Sequence, residues 1–191
     1  AGKATVDSDK CTILGYNAAS GGNMAAGAGD GTGADGTVAV GNAALLSLTS
    51  GSGNVAIGFE ALDANQTSDF NTAVGHQALS AVNGDGNAGN TAVGWQAGLA
   101  LTDGKENTII GYAALPEDDQ SDGTTVIGYQ ALHEQNGGTG DSGVTAVGFR
   151  AGYENVSGTN NTWVGWQAGL GASGNSNSNN TAVGKDALLS V

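Results

Sequence analysis

Small and apolar residues recur along this chain at a fixed beat. Taking Asn71-Thr72-Ala73-Val74-Gly75-His76-Gln77-Ala78-Leu79 as a template, the nine-position block returns at 90–98, 107–115, 124–132, 144–152, 161–169 and 180–188, with weaker copies at 11–19, 37–45 and 54–62. The central glycines are Gly15, Gly41, Gly58, Gly75, Gly94, Gly111, Gly128, Gly148, Gly165 and Gly184. Neighbours among them are 17 residues apart in five intervals, 19 or 20 in three and 26 in one. Self-similarity at such a period predicts a solenoid with one coil per repeat, the extra residues falling to the turns.

Each position in the block carries its own message. The residue before the central Gly is always Val, Ile or Leu, and three before it stands Thr in eight copies and Val in two, Val38 and Val55. β-Branched residues at alternate places predict a strand. Between them stands Ala in six copies, with Ile13, Ile109, Val126 and Trp163 in the others, so the opposite face is apolar too. A strand apolar on both faces is covered on both. One face looks into the narrow lumen of the coil; the other meets something else, and a second or third copy of the same chain is the simplest occupant. Ala also stands three residues after every central Gly, where small side chains let backbones approach. A helix is disfavoured, because Gly inside every block costs ~1 kcal/mol relative to Ala.

The predicted fold is all-β: a parallel β-solenoid of about ten coils of 17–20 residues, stacked ~4.8 Å apart into a rod of roughly 50 Å. Residues 1–10 form a lead-in and 11–191 the solenoid, with 20–36 as an insertion or degenerate coil. Gly36, Gly53, Gly89, Gly123, Gly143, Asn160 and Asn179 directly precede blocks, where left-handed backbone is expected. The pattern leaves open whether the Ala-Leu segment adds a second strand per coil.

Composition agrees with a thin coil. Of 191 residues 35 are Gly and 30 Ala, too little side-chain volume for an ordinary two-layer core. A single Pro and no Gly-X-Y period exclude collagen, and 39% apolar residues placed in register argue against disorder. Five Lys+Arg against 18 Asp+Glu, a net charge of -13, argue against nucleic acid or an anionic membrane as partner. No apolar run approaches the ~20 residues of a membrane span. Cys11 is the only cysteine, so no intrachain disulfide is expected.

The blocks Val55-Ala56-Ile57-Gly58 and Thr72-Ala73-Val74-Gly75 resemble the head repeat of trimeric autotransporter adhesins, in which such strands wind a left-handed parallel β-roll and three chains pack side by side. The fuller form at 90–97, Asn-Thr-Ala-Val-Gly-Trp-Gln-Ala, is similar to repeats of phage tail fibres. The resemblance covers about 11–188. It implies a homotrimer, a left-handed coil and a role in host or surface attachment; the neck, stalk, membrane anchor and self-cleaving chaperone of those proteins have no counterpart in these 191 residues.

Candidate chemistry is sparse. Tyr16, Phe59, Trp95, Tyr112, Tyr129, Phe149 and Trp166 each follow a central Gly and would stack into a stripe, packed between coils or subunits or contacting a glycan or protein. Gln77, Gln96, Gln130 and Gln167 share the next column and Asn54, Asn71, Asn90, Asn107, Asn161 and Asn180 open their blocks, both readable as amide ladders. A row formed by Thr72, Thr91, Thr108, Thr125 and Thr145 would bind ice only as a flat regular array, and the drifting coil length speaks against regularity. Glu60 and Asp186 lie seven coils apart, too far for an acid–base pair. The acids Glu117, Asp118 and Asp119 read as a solvated turn. Segments 30–36 and 117–122 could supply oxygens to a structural calcium ion but fit no known calcium loop; no catalytic metal or other cofactor is expected.

The sequence therefore reads as a non-enzymatic fibre or attachment segment, extracellular or on a virion surface, homotrimeric, with a cell-surface glycan or protein as receptor. The head domain of a bacterial surface adhesin is the alternative, and a self-assembling extracellular filament, drawn from the apolar ending Ala187-Leu188-Leu189-Ser190-Val191, is a third.

Overall fold

The computed structural model describes residues 10–21, 33–136, 140–171 and 177–189. Most of the lead-in, most of the 20–36 interruption including the first part of the 30–36 calcium candidate, and the last two residues of the apolar ending lie outside them.

Fourteen strands follow one another among the described residues: β1 (Thr12–Leu14), β2 (Val38–Val40), β3 (Val55–Ile57), β4 (Ser68–Asp69), β5 (Thr72–Val74), β6 (Gly86–Asn87), β7 (Thr91–Val93), β8 (Thr108–Ile110), β9 (Ser121–Asp122), β10 (Thr125–Ile127), β11 (Gly140–Asp141), β12 (Thr145–Val147), β13 (Thr162–Val164) and β14 (Thr181–Val183). The ten three-residue strands, one per repeat, pair in chain order into a single parallel sheet. β4 with β6 and β9 with β11 make two small parallel sheets, with two residues between each of β4 and β9 and the next strand of the main sheet. There is no helix among the described residues. The protein is a parallel β-solenoid.

Register is kept throughout. Thr72 pairs with Thr91, Thr91 with Thr108, Thr108 with Thr125, Thr125 with Thr145, Thr145 with Thr162 and Thr162 with Thr181. The two or three extra residues of the longer coils are absorbed in the turns. The drift in coil length therefore does not disturb the threonine row, against the sequence expectation; its hydroxyls are half-buried except at Thr181.

Glycine is required at the centre of the block because the coils touch there backbone to backbone. Gly111 has φ +141°, and a Cβ on it would lie 2.2 Å from the carbonyl oxygen of Gly128. The same amide donates to Val93 of the preceding coil at 2.8 Å, so the contact is also a rung of the ladder. Positive φ recurs at three further places per coil: before the block, two after the central Gly and four after it. Lys10, Phe70 and Glu106 take this conformation before their blocks as Gly and Asn do elsewhere, which residue type alone would not have indicated. The Ala-Leu segment is a turn, and the second strands lie further on, in β4, β6, β9 and β11.

The lumen is filled by three kinds of column. The middle residue of the strand is buried in nine of ten coils, from Ala39 to Ala182, and half-buried at Ile13. The Ala three after the central Gly is buried from Ala18 to Ala168. Opposite them stand Leu45, Leu62, Leu79, Leu115 and Leu132, all fully buried. Volume is traded between columns where the strand residue is large. Ile109 faces Gly98 in place of a Leu, and Trp163 faces both Gly152 and Gly169, where an added Cβ would lie 2.2 Å from the indole.

One strand face is covered within the chain. The Ala-type column is inside, whereas the flanking Thr and Val/Ile/Leu columns point outward and are half-buried or exposed. Leu14 and Val183, at the two ends, are 66% and 68% exposed.

Two predictions follow from the packing. Gly111→Ala should lower unfolding free energy by about 3 kcal/mol or more, since strain at positive φ and overpacking each cost ~1–3 kcal/mol; denaturant unfolding followed by circular dichroism checks it. Trp163→Ala should cost roughly 3–5 kcal/mol, and adding Gly152→Leu should recover part of that loss by restoring the Ala-with-Leu pairing of the other coils.

Candidate functional site

The residue after each central Gly is aromatic in seven coils and exposed in all of these but that of Phe149, which is half-buried. Its carbonyl accepts the amide of the next coil's αL residue, as in Gln77 to Phe59 at 2.8 Å and Gln96 to His76 at 2.9 Å, so successive rings are held one coil apart. Phe59, His76, Trp95, Tyr112, Tyr129, Phe149 and Trp166 form one continuous stack, with centroid separations from 4.1 to 6.2 Å and interplanar angles from 6° to 21°. His76 continues the column between Phe59 and Trp95. Tyr16 stands apart: Asn42 occupies the intervening coil and the Tyr16 ring is 72% exposed.

Stacking uses up the faces of these rings. Each aromatic pair contributes ~0.5–1.5 kcal/mol beyond burial, and what remains for an outside partner is the line of ring edges. Sugar recognition by face stacking is therefore confined to the ends of the ladder. Arg150 adds a cation to the upper part, its guanidinium carbon 5.4 Å from the Phe149 centroid and 5.0 Å from that of Tyr153. Tyr153 in turn stacks on His133 at 4.9 Å.

Two polar columns flank the rings and the strands. The Asn column is buried except at Asn180, which is half-buried, and its amides link successive coils. Asn107 accepts the backbone N–H of Thr124 at 2.8 Å through Oδ1 and donates through Nδ2 to Ser121 at 2.7 Å and to Asn90 at 3.1 Å. Asn54, Asn71, Asn90 and Asn161 repeat this pattern in part. All lateral capacity is spent inside the coil, so this column is structural. The half-buried column next to the rings runs Glu60, Gln77, Gln96, Ala113, Gln130, Arg150 and Gln167. Gln77 Nε2 donates to Glu60 Oε2 and Gln96 Nε2 to Gln77 Oε1, both at 2.8 Å. Arg150 donates through Nε and Nη2 to Gln130 Oε1 at 3.1 and 2.9 Å, and Trp166 Nε1 donates to Gln167 Oε1 at 3.2 Å.

The carboxylates are dispersed. Glu60 is committed to Gln77, and Asp186 pairs with the neighbouring Lys185 at 3.1 Å. Glu117 and Asp119 are exposed, but Asp118 between them is fully buried, which corrects the reading of this run as a solvated turn. Asp118 occupies the place that Asn65 and Asn155 take in other coils, closing a turn onto its own backbone: Oδ1 accepts the amides of Gln120 and Ser121 at 3.0 and 2.9 Å. Burial raises its pKa, opposed by the hydrogen bonds from Ser121 and Gln120. Glu134 is raised by desolvation and then by Glu154 and Glu117, its neighbours one coil above and below. Column-wise comparison at the coil period would have found both features. No group of three His, Cys, Asp or Glu among the described residues is placed to hold a metal ion.

The Asp118 shift fixes a pH dependence. A carboxyl whose pKa is raised on folding binds more protons in the folded state, so stability falls as pH rises above the ordinary aspartate value of 3.8. Asp118→Asn, which keeps the turn in the form of Asn65, should raise the melting temperature at pH 7, and the gain should fade as pH approaches 3.8; scanning calorimetry across this range checks it. Compared with protein-family models, curated proteins and solved structures, the chain matches none.

Proposed function

We propose that this chain is a non-enzymatic segment of a homo-oligomeric fibre, trimeric as its resemblance implies, that serves surface attachment from a virion or another extracellular position. The supporting observation is the outward face of the ten-stranded sheet. Its two columns hold twenty side chains, Thr12 and Leu14 through Thr181 and Val183, without one charge, in a chain with 18 acids. Leu14, Ile57, Val93, Ile110 and Val183 are exposed on it, beside the edges of the ring ladder.

Ten strands at ~4.8 Å spacing and three residues at ~3.3 Å give this face roughly 45 Å by 10 Å before the rings are added. Its footprint is comparable with the largest apolar patches usual on monomers, ~300–600 Å², and the ring edges add to it. A face with a 4.8 Å corrugation is matched best by the same corrugation, which favours a further copy of this chain. Charge supports the same conclusion, because chains of net charge -13 approach each other most easily along a strip without acids.

The bacterial adhesin-head version of this reading uses the same face, and the capsid, tail or membrane-anchor genes beside the reading frame separate the two. The test of the assembly is mass in solution. Light scattering and sedimentation should give a trimer, and the pair Val93→Lys and Ile110→Lys should yield a folded monomer with an unchanged far-ultraviolet spectrum. A wild-type protein that is a monodisperse monomer at micromolar concentration overturns the proposal.

A further inference from the structure

The residue directly before the block has positive φ in all ten coils, and seven of them supply it with Gly or Asn. Phe70 is the one residue in this column with a large apolar side chain. It combines a φ of 59°, which bulky residues rarely adopt, with a side chain that is 57% exposed. A strained and exposed residue of this kind points to a role beyond the packing of its own coil. The ring leans over the coil below, where a Cβ on Gly53 would lie 2.7 Å from it. On the coil above, a Cβ on Gly89 would meet no described atom within 4 Å. Phe70 stacks on no other ring among the described residues, so its faces are not used up as those of the ladder are.

Contact between copies along the sheet face needs a device that sets their relative height. The face repeats every ~4.8 Å, and a slip of one coil leaves nine of its ten strands in matching columns. Uniform columns specify register weakly. A side chain that occurs once along the rod specifies it well. Lys10 and Glu106 share the column of Phe70 but are charged and exposed, and neither suits an apolar contact.

Phe70 also stands on the right margin. It precedes β5, at the start of the strands, whereas the ring ladder follows the strands at their ends. In a cyclic assembly of parallel rods the contact is heterologous, so the start margin of one copy meets the end margin of the next at equal height. At that height stand His76, in the coil of Phe70 itself, and Phe59, in the coil over which Phe70 leans; their rings are 5.1 Å apart. The ladder offers edges, and an edge-to-face contact needs a partner with a free face.

We propose that Phe70 is the register pin of the homo-oligomer, its ring seated against the edges of Phe59 and His76 of a second copy of this chain. The proposal deepens the fibre reading and rests on it for the assembly itself.

The test places p-benzoylphenylalanine at position 70 in a mixture of isotopically light and heavy chains, irradiates it and maps the cross-links by peptide mass spectrometry. Cross-links between light and heavy chains at Phe59 and His76 are expected. Phe70→Gly should keep the far-ultraviolet spectrum, because Gly fills this position in five other coils. It should also raise the protein concentration at which half of the assembly dissociates, by roughly tenfold or more, while Phe70→Trp should restore most of the loss. Interchain cross-links that fall elsewhere, or undiminished assembly in Phe70→Gly, overturn the pin and leave the fibre reading standing. A monomeric wild-type protein overturns both.

Discussion

Successive coils pass each other at their central glycines with no room for a side chain: a methyl on Gly75 would lie 2.2 Å from the carbonyl oxygen of Gly94. The backbone hydrogen bonds between coils set the strand spacing, and glycine is what lets the coils close to it here. Because the contact repeats from Gly15 to Gly165, every other position of the coil is stacked on its equivalent. Columns of like residues, the ring ladder, the amide ladders and the charge-free sheet face are all consequences of this one steric constraint.

Stacking of equivalents has a cost where equivalents repel and a benefit where they attract. Aromatic rings and carboxamides gain from lying above their own kind, and those residues fill the columns after the central Gly and at the start of the block. Acids do not gain. Glu117, Glu134 and Glu154 share one column, and desolvation together with the two neighbouring carboxylates raises the pKa of Glu134. Volume obeys the same logic across columns rather than along them, since a lumen of fixed width admits Trp163 only where Gly152 and Gly169 give way.

Direction in the amide column comes from its charged ends. Glu60 accepts and Arg150 donates, and the four-coil interval between them holds three amides where a continuous column would hold four. Ala113 is the position at which the two senses meet.

The period, the strands, the stacked Asn column and the requirement for glycine were legible in the chain, because a solenoid reads its sequence linearly and each coil meets only its neighbours. Which strand face points inward was not, because Thr/Val and Ala columns are both apolar and alternation alone has no sign; the narrow lumen chose the smaller set. Left-handed backbone at Lys10, Phe70 and Glu106 was equally hidden, since the coil imposes there what residue type does not favour. Burial of Asp118 in what looked like a solvated acidic run came from its place in a column shared with Asn65 and Asn155. The sequence by itself determined the coil and its period through local pattern; only the tertiary structure decided the inside, the outside and the ladders, because those depend on which residues the closing of each coil brings into register.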